Sequence, residues 1–250
     1  MKQIALNIVI ILWATIALAS PSDSLQKANE LYSNNEFEKA LSMYQQLVAE
    51  KYSSATLFYN LGNSYYKTGN ITKAIINYER ALLLAPNNND IKYNLALANQ
   101  YIVDKIEPLP TPFFVKWWRS IVNLSDTDGW AKTSIAAFVL MLVFALFFFV
   151  SGIPGVKKTT FSLAIVMLVF SLLTLLFTIQ QNQQIKNRTH AIIVTPTVTV
   201  KASPNESGTD LFVIHEGLKV NITNQVNNWV EIRLEDGNSG WVNPTVLEKI

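Results

Sequence analysis

The chain has two histidines, and only one of them adjoins a carboxylate: His215 is followed by Glu216. A zinc-hydrolase helix needs a second histidine one helical turn away, whereas the surrounding "DLFVIHE" alternates with the period of a strand. His190 stands at the edge of a polar stretch with no partner spacing. Glu231, Glu235 and Asp236 are close enough in sequence for paired acid–base work, yet they flank an Asp-Gly turn and read as a solvated hairpin. There is no glycine-rich phosphate loop, no nucleophile elbow and no cysteine. The reading is therefore of a non-enzyme with no catalytic residues, no metal site and no cofactor.

The chemistry that the residue types do support is recognition. Tyr-Asn-Leu occurs at 59–61 and again at 93–95. Tyrosine supplies contact area at low rotamer cost, and asparagine carries both donor and acceptor groups that suit an extended backbone. Asn29, Tyr32, Tyr59, Asn60 and Asn63 belong to this set, with Tyr66, Tyr93, Asn94 and Leu97. Tyr59, Asn63 and Tyr66 share one helix face at i, i+4 and i+7.

The elements that must position these residues repeat at about 34 residues. Residues 55–88 carry Phe58, Leu61-Gly62, Tyr65, Ala74, Tyr78, Ala81 and Pro86; one repeat earlier come Ala28, Leu31, Ala40 and Tyr44. "YSNNEFEKAL" aligns without a gap with "YKTGNITKAI". Small residues at Ala28, Ala40, Gly62, Ala74 and Ala96 fit close helix crossings. Gly69 breaks a helix, Pro86 stops one, and Asn88 or Asn89 caps the next. Residues 20–107 resemble the tetratricopeptide repeat family. The resemblance implies an α-solenoid with hairpins near 22–54 and 55–87, a closing helix from Asp90 to Lys105, and a concave groove in which the Tyr/Asn set meets a partner segment. Members that clamp a terminal carboxylate are similar at Asn29 and Asn60. Their basic positions correspond here to Leu25, Asp90 and Asn94, so an anionic ligand is not expected. Fewer than three full repeats bury little continuous core.

With 50% hydrophobic and 15% charged residues, part of the chain belongs in lipid, and a net charge of +2 gives no reason to expect nucleic acid. Residues 1–19 have the basic start, apolar run and small-residue end of a signal peptide; an uncleaved anchor is the alternative, and both send the repeats out of the cytoplasm. Residues 108–130 form a juxtamembrane segment, where Phe114, Trp117, Trp118, Ile121 and Leu124 recur at helical spacing opposite Lys116 and Arg119, the pattern of an interfacial helix. Residues 131–153 and 160–180 are long enough to span a membrane. The loop 154–159 carries Lys157 and Lys158 and reads as cytoplasmic. Both flanking domains then lie on the periplasmic side of a bacterial inner membrane, with 181–189 as a polar linker.

Residues 190–250 switch to short alternating strands, with Asp236-Gly237 as a hairpin turn. The order Val-Thr-Val-Lys-Ala-Ser-Pro, Gly217, Trp229 with Val230, Ile232 and Leu234, then Gly240-Trp241-Val242, resembles the bacterial SH3 domain. That implies a small all-β barrel with protein or cell-wall peptide as ligand. Trp241 reads as core; Trp229 fits core and ligand surface equally. The fold class is thus multi-domain: α-solenoid, two-helix transmembrane hairpin and SH3-like barrel. This order of parts, together with "DKIEPLPTPFFVKWWRSIVNLS", resembles the BatE family of the Bat aerotolerance operon. The resemblance implies an interaction scaffold in a complex with von Willebrand-type Bat proteins, associated with oxidative or envelope stress. A peptidoglycan sensor acting through the barrel is the alternative.

Overall fold

The computed structural model describes residues 21–187 and 190–250, so the expected signal peptide lies outside the described residues. Among the described residues five helices come first: α1 (Pro21–Ser33), α2 (Phe37–Ala49), α3 (Ala55–Lys67), α4 (Ile71–Leu84) and α5 (Asn89–Ala98). Their starts follow from local capping. Ser54, Asn70 and Asn88 each accept a backbone N–H of the first turn, which settles the choice between Asn88 and Asn89. Asn35 and Gly69, one repeat apart, take φ of 60° and 82° to turn each hairpin. Ala28, Ala40 and Ala74 are fully buried, and a Cβ on Gly62 would lie 2.7 Å from the Tyr78 ring. Ala96 departs from the expected packing. It is exposed because, among the described residues, α5 has no second helix folded against it as α4 is against α3.

The closing helix is shorter than its composition suggests. It ends at Ala98, tightens into a 3₁₀ turn over Asn99–Tyr101, and becomes extended at Ile102. Lys105 Nζ caps that turn through the Asn99 and Gln100 carbonyls, at 2.9 and 3.1 Å. The strap 102–109 then crosses the C-terminal domain, where Ile106 packs on the core and Leu109 N–H donates to Glu235 O at 2.9 Å.

Next come α6 (Phe113–Val122), α7 (Thr127–Val150) and α8 (Pro154–Asn187). Two helical stretches, Thr127–Val150 and Pro154–Gln183, are long and apolar enough to cross a membrane, with few of their side chains buried. Ser134 and Ser171 each donate to the other's carbonyl at 2.9 Å, so the two helices meet where small hydroxyls allow close approach. The turn between them is only Ser151–Ile153; residues 154–159, expected as loop, begin α8. The expected linker is helical as far as Asn187. Gln181 explains the extension. Its Nε2 bridges the Val122 and Ser125 carbonyls at 2.8 Å each, holding the end of α6 against α8.

Seven antiparallel strands complete the chain: β1 (His190–Ile193), β2 (Thr197–Lys201), β3 (Asp210–His215), β4 (Lys219–Val226), β5 (Trp229–Arg233), β6 (Ser239–Val242) and β7 (Leu247–Lys249). Their order is β3-β2-β6-β5-β4-β1-β7, and the outer strands do not pair, so the expected barrel is an open sheet curled around one core. Ala191, Ile193, Val200, Ile214, Ile232 and Val242 fill that core.

The repeats and the sheet are joined directly. Ile192 and Ile250 are buried in the same cluster as Ile75, Ile76, Ile91 and Leu95 of α4 and α5. Around this apolar seam, Glu248 meets Lys73 and Arg80, Lys219 meets Glu79 at 2.6 Å, and Thr72 donates to Glu216. A repeat array too short to bury its own last face thus borrows the sheet as its cap.

Candidate functional site

The first helices α1, α3 and α5 line a concavity of about 270 Å³. Tyr32, Tyr59, Asn63, Tyr66, Asn94 and Leu97 surround it, joined by Lys67 and Tyr78. Six of the residues picked from the sequence therefore converge. Lys67 and Tyr78 did not stand out: Lys67 carried no pattern, and Tyr78 read as a packing residue of the repeat signature. Tyr93 stays apart, 70% exposed.

The asparagines are held by a hydrogen-bond pattern that itself repeats. Asn63 Oδ1 accepts from Tyr78 OH and from Asn94 Nδ2, both at 2.8 Å, and Asn94 Nδ2 also reaches Tyr59 OH at 3.0 Å. One repeat earlier, Asn29 Oδ1 accepts from Tyr44 OH at 2.7 Å and Asn60 Nδ2 at 2.8 Å. Half of each side chain is thus spent on the fold. Asn63 and Asn94 line the concavity, and Asn63 Nδ2 and Asn94 Oδ1 make no hydrogen bond among the described residues.

Burial, followed by neighbouring tyrosines, raises the Tyr78 and Tyr32 phenols, and burial pushes Tyr44 up to about 12. These hydroxyls stay protonated and act as donors or apolar wall. At the far end, Tyr66 OH meets Tyr101 OH at 3.4 Å with the rings edge to face. The groove therefore presents aromatic walls, one cation at Lys67, and the amides of Asn63 and Asn94.

In the C-terminal domain, Trp229 lies at the start of β5, whose Val230 and Ile232 face the core. It shares the opposite face with Glu231. Trp241, expected in the core, is half-buried on that same outer face, because Gly240 and Val242 take the inward positions. His215 is structural in its contacts: its backbone N–H donates to Asp104 Oδ2 at 2.6 Å, and its ring Nδ1 lies 2.9 Å from Oδ1. His190 sits half-buried at the seam, where burial and then the nearby Lys219 lower its pKa.

Family models match two parts of the chain. The tetratricopeptide repeat model matches residues 55–88, a second TPR repeat model matches 28–69, and the bacterial SH3 domain model matches 196–248. The repeats mark a protein-interaction module. No curated protein matches the chain. Among solved structures, the crystal structure of YrrB, described as a TPR protein with an unusual peptide-binding site, is similar at 20% identity and a TM-score of 0.30. That alignment covers 67% of this chain and 87% of the other.

Proposed function

We propose that the protein is a membrane-anchored interaction scaffold whose repeat groove binds an extended segment of a partner protein. The observation that carries this reading is the pair of open amide atoms, Asn63 Nδ2 and Asn94 Oδ1, between the walls of Tyr32, Tyr59, Tyr66 and Leu97. An extended backbone matches one donor and one acceptor, and tyrosine walls grip the side chains. α7 and α8 anchor the chain in a bacterial inner membrane, with α6 at the headgroup level and both large domains in the periplasm. The exposed Phe113, Phe114 and Trp117 of α6 beside Lys116 and Arg119 favour this placement. The resemblance to the BatE family points to von Willebrand-type Bat proteins as partners in an aerotolerance or envelope-stress complex. Affinity purification of the full chain from mild detergent tests it. Stoichiometric von Willebrand-type chains that are lost on groove substitution support the reading, and their retention by groove variants opposes it.

A second reading, a cell-wall sensor, is favoured by one observation: Trp229 and Trp241 share the outer face of β5 and β6 on either side of Glu231. Two indoles on an open sheet face suit a glycan or wall-peptide strand. Retention of the full chain on insoluble peptidoglycan, abolished by Trp229→Ala with Trp241→Ala, would select it.

A further inference from the structure

The two outer strands of the sheet have opposite fates. β7 is covered by α4, where Arg80 Nη2 donates to the Lys249 carbonyl at 3.0 Å. Among the described residues β3 pairs only with β2, and its other edge is open. The direction of its backbone groups follows from one contact. His215 N–H leaves the sheet for Asp104, so the Thr197–His215 pair is not mutually hydrogen-bonded, and alternation makes Thr199–Val213 another such pair. The N–H and C=O of Val213 therefore point outward along the free edge. Leu211 and Val213 are 48% and 49% exposed beside that edge, and the bulge between Val200 and Lys201 leaves Leu211 without a cross-strand partner. The strand has neither proline nor lysine to blunt it.

We propose that the free edge of β3, Asp210–Val213, is a strand-addition site for a short extended segment of a partner protein, apolar at alternate positions and basic where it meets Asp210. The length of the edge favours a peptide over a second copy of this chain. The Asp104 carboxylate closes it at His215, and four residues cannot bury the roughly 800 Å² per partner of a stable subunit interface. Charge selects one flank: Asp210 is 66% exposed on its side chain even with Lys201 upon it. Main-chain hydrogen bonds to Val213 would supply register, and the Leu211 and Val213 side chains would select apolar residues. This surface is separate from the repeat groove.

The probe is a fluorescent peptide, Lys-Val-Thr-Val-Thr-Val-Lys, titrated by anisotropy against the full chain in detergent. Saturable binding is expected, weakened at least tenfold by N-methylation of alternate peptide nitrogens. Val213→Pro should weaken it similarly, since proline removes an outward N–H that β2 does not use. Leu211→Lys provides a second variant in case the proline disturbs the strand, and should weaken binding through charge repulsion. Loss of binding in Tyr59→Ala with Tyr66→Ala would place the probe in the repeat groove and overturn the proposal. No saturable binding, or equal affinity for the N-methylated peptide, overturns the proposal. Sedimentation that finds a wild-type dimer and a Val213→Pro monomer also overturns it, assigning the edge to a second copy.

Discussion

Asn94 Nδ2 donates to Asn63 Oδ1 at 2.8 Å, and Tyr78 OH donates to the same oxygen at 2.8 Å, so one amide ties α3 to both helices that come after it. Asn29, Tyr44 and Asn60 repeat the arrangement. Tyr78 is 1% exposed, and Asn63→Ala would strand its hydroxyl. The expected cost is about 1–3 kcal/mol in urea denaturation of the full chain. Asn63→Ala with Tyr78→Phe should recover much of it, since removing both partners leaves nothing unsatisfied.

The same phenols make stability depend on alkaline pH. Tyr44 is raised from 10.0 to about 12 and Tyr78 further, both by burial, so the folded state holds these protons more tightly than the unfolded chain. The contribution is complete below pH 10 and is lost as pH rises through the folded-state values. Denaturation midpoints should be flat from pH 8 to 10 and fall above that, and Tyr44→Phe should make the fall shallower. An equally steep fall in that variant would assign the transition to other groups.

Gly62 and the groove tyrosines separate folding from binding. A leucine at Gly62 would overlap the Tyr78 ring and approach the Ala74 carbonyl, where a Cβ alone lies at 3.3 Å. Gly62→Leu should destabilise by about 1–3 kcal/mol, read as a lowered thermal midpoint by helical circular dichroism. Tyr59→Ala with Tyr66→Ala should keep the helical signal and weaken partner capture by about 2–4 kcal/mol. Full capture by the folded double variant would move the binding site out of the groove.

The seam makes a substitution in a strand felt in the solenoid. Ile192 is fully buried against α4 and α5, and Ile192→Ala should cost about 2–5 kcal/mol. Hydrogen exchange should speed up in α4 and α5 as well as in β1; loss confined to β1 would mean that the two domains are stable separately. Cutting the chain near residue 107 would uncover the same face, so groove assays belong in the full chain.

Membrane topology can be read by thiol labelling, because the chain has no cysteine of its own. Gly152 lies in the turn between α7 and α8, and Glu206 lies in an exposed loop of the sheet domain. In intact cells stripped of their outer membrane, an impermeant maleimide should label Glu206→Cys and spare Gly152→Cys. Equal labelling of both would defeat the two-span arrangement.

What the sequence determined by itself is whatever local periodicity and local hydrogen bonding specify. Repeat spacing, the Ser54 and Asn70 caps, the turn at Gly69, the apolar runs of α7 and α8 and the Asp236-Gly237 hairpin all rest on neighbours within a few residues. The convergence of Tyr59, Asn63 and Tyr66 was legible for the same reason. Tertiary structure decided the rest. Trp241 faces outward because the register pairs it with Glu231 and Lys201, and a shift of one residue would have reversed every side chain of β6. A Cβ on Gly240 would lie 2.5 Å from Val200, so the inward position next to Trp241 has room only for glycine. The strap replaced the end of the closing helix because Asp104 and Ile106 find partners more than a hundred residues away, at His215 and in the sheet core. Ile192 and Ile250 read as ordinary strand residues, yet they complete the repeat core. No local pattern records that, because the energy of burying them depends on a surface contributed by another part of the chain.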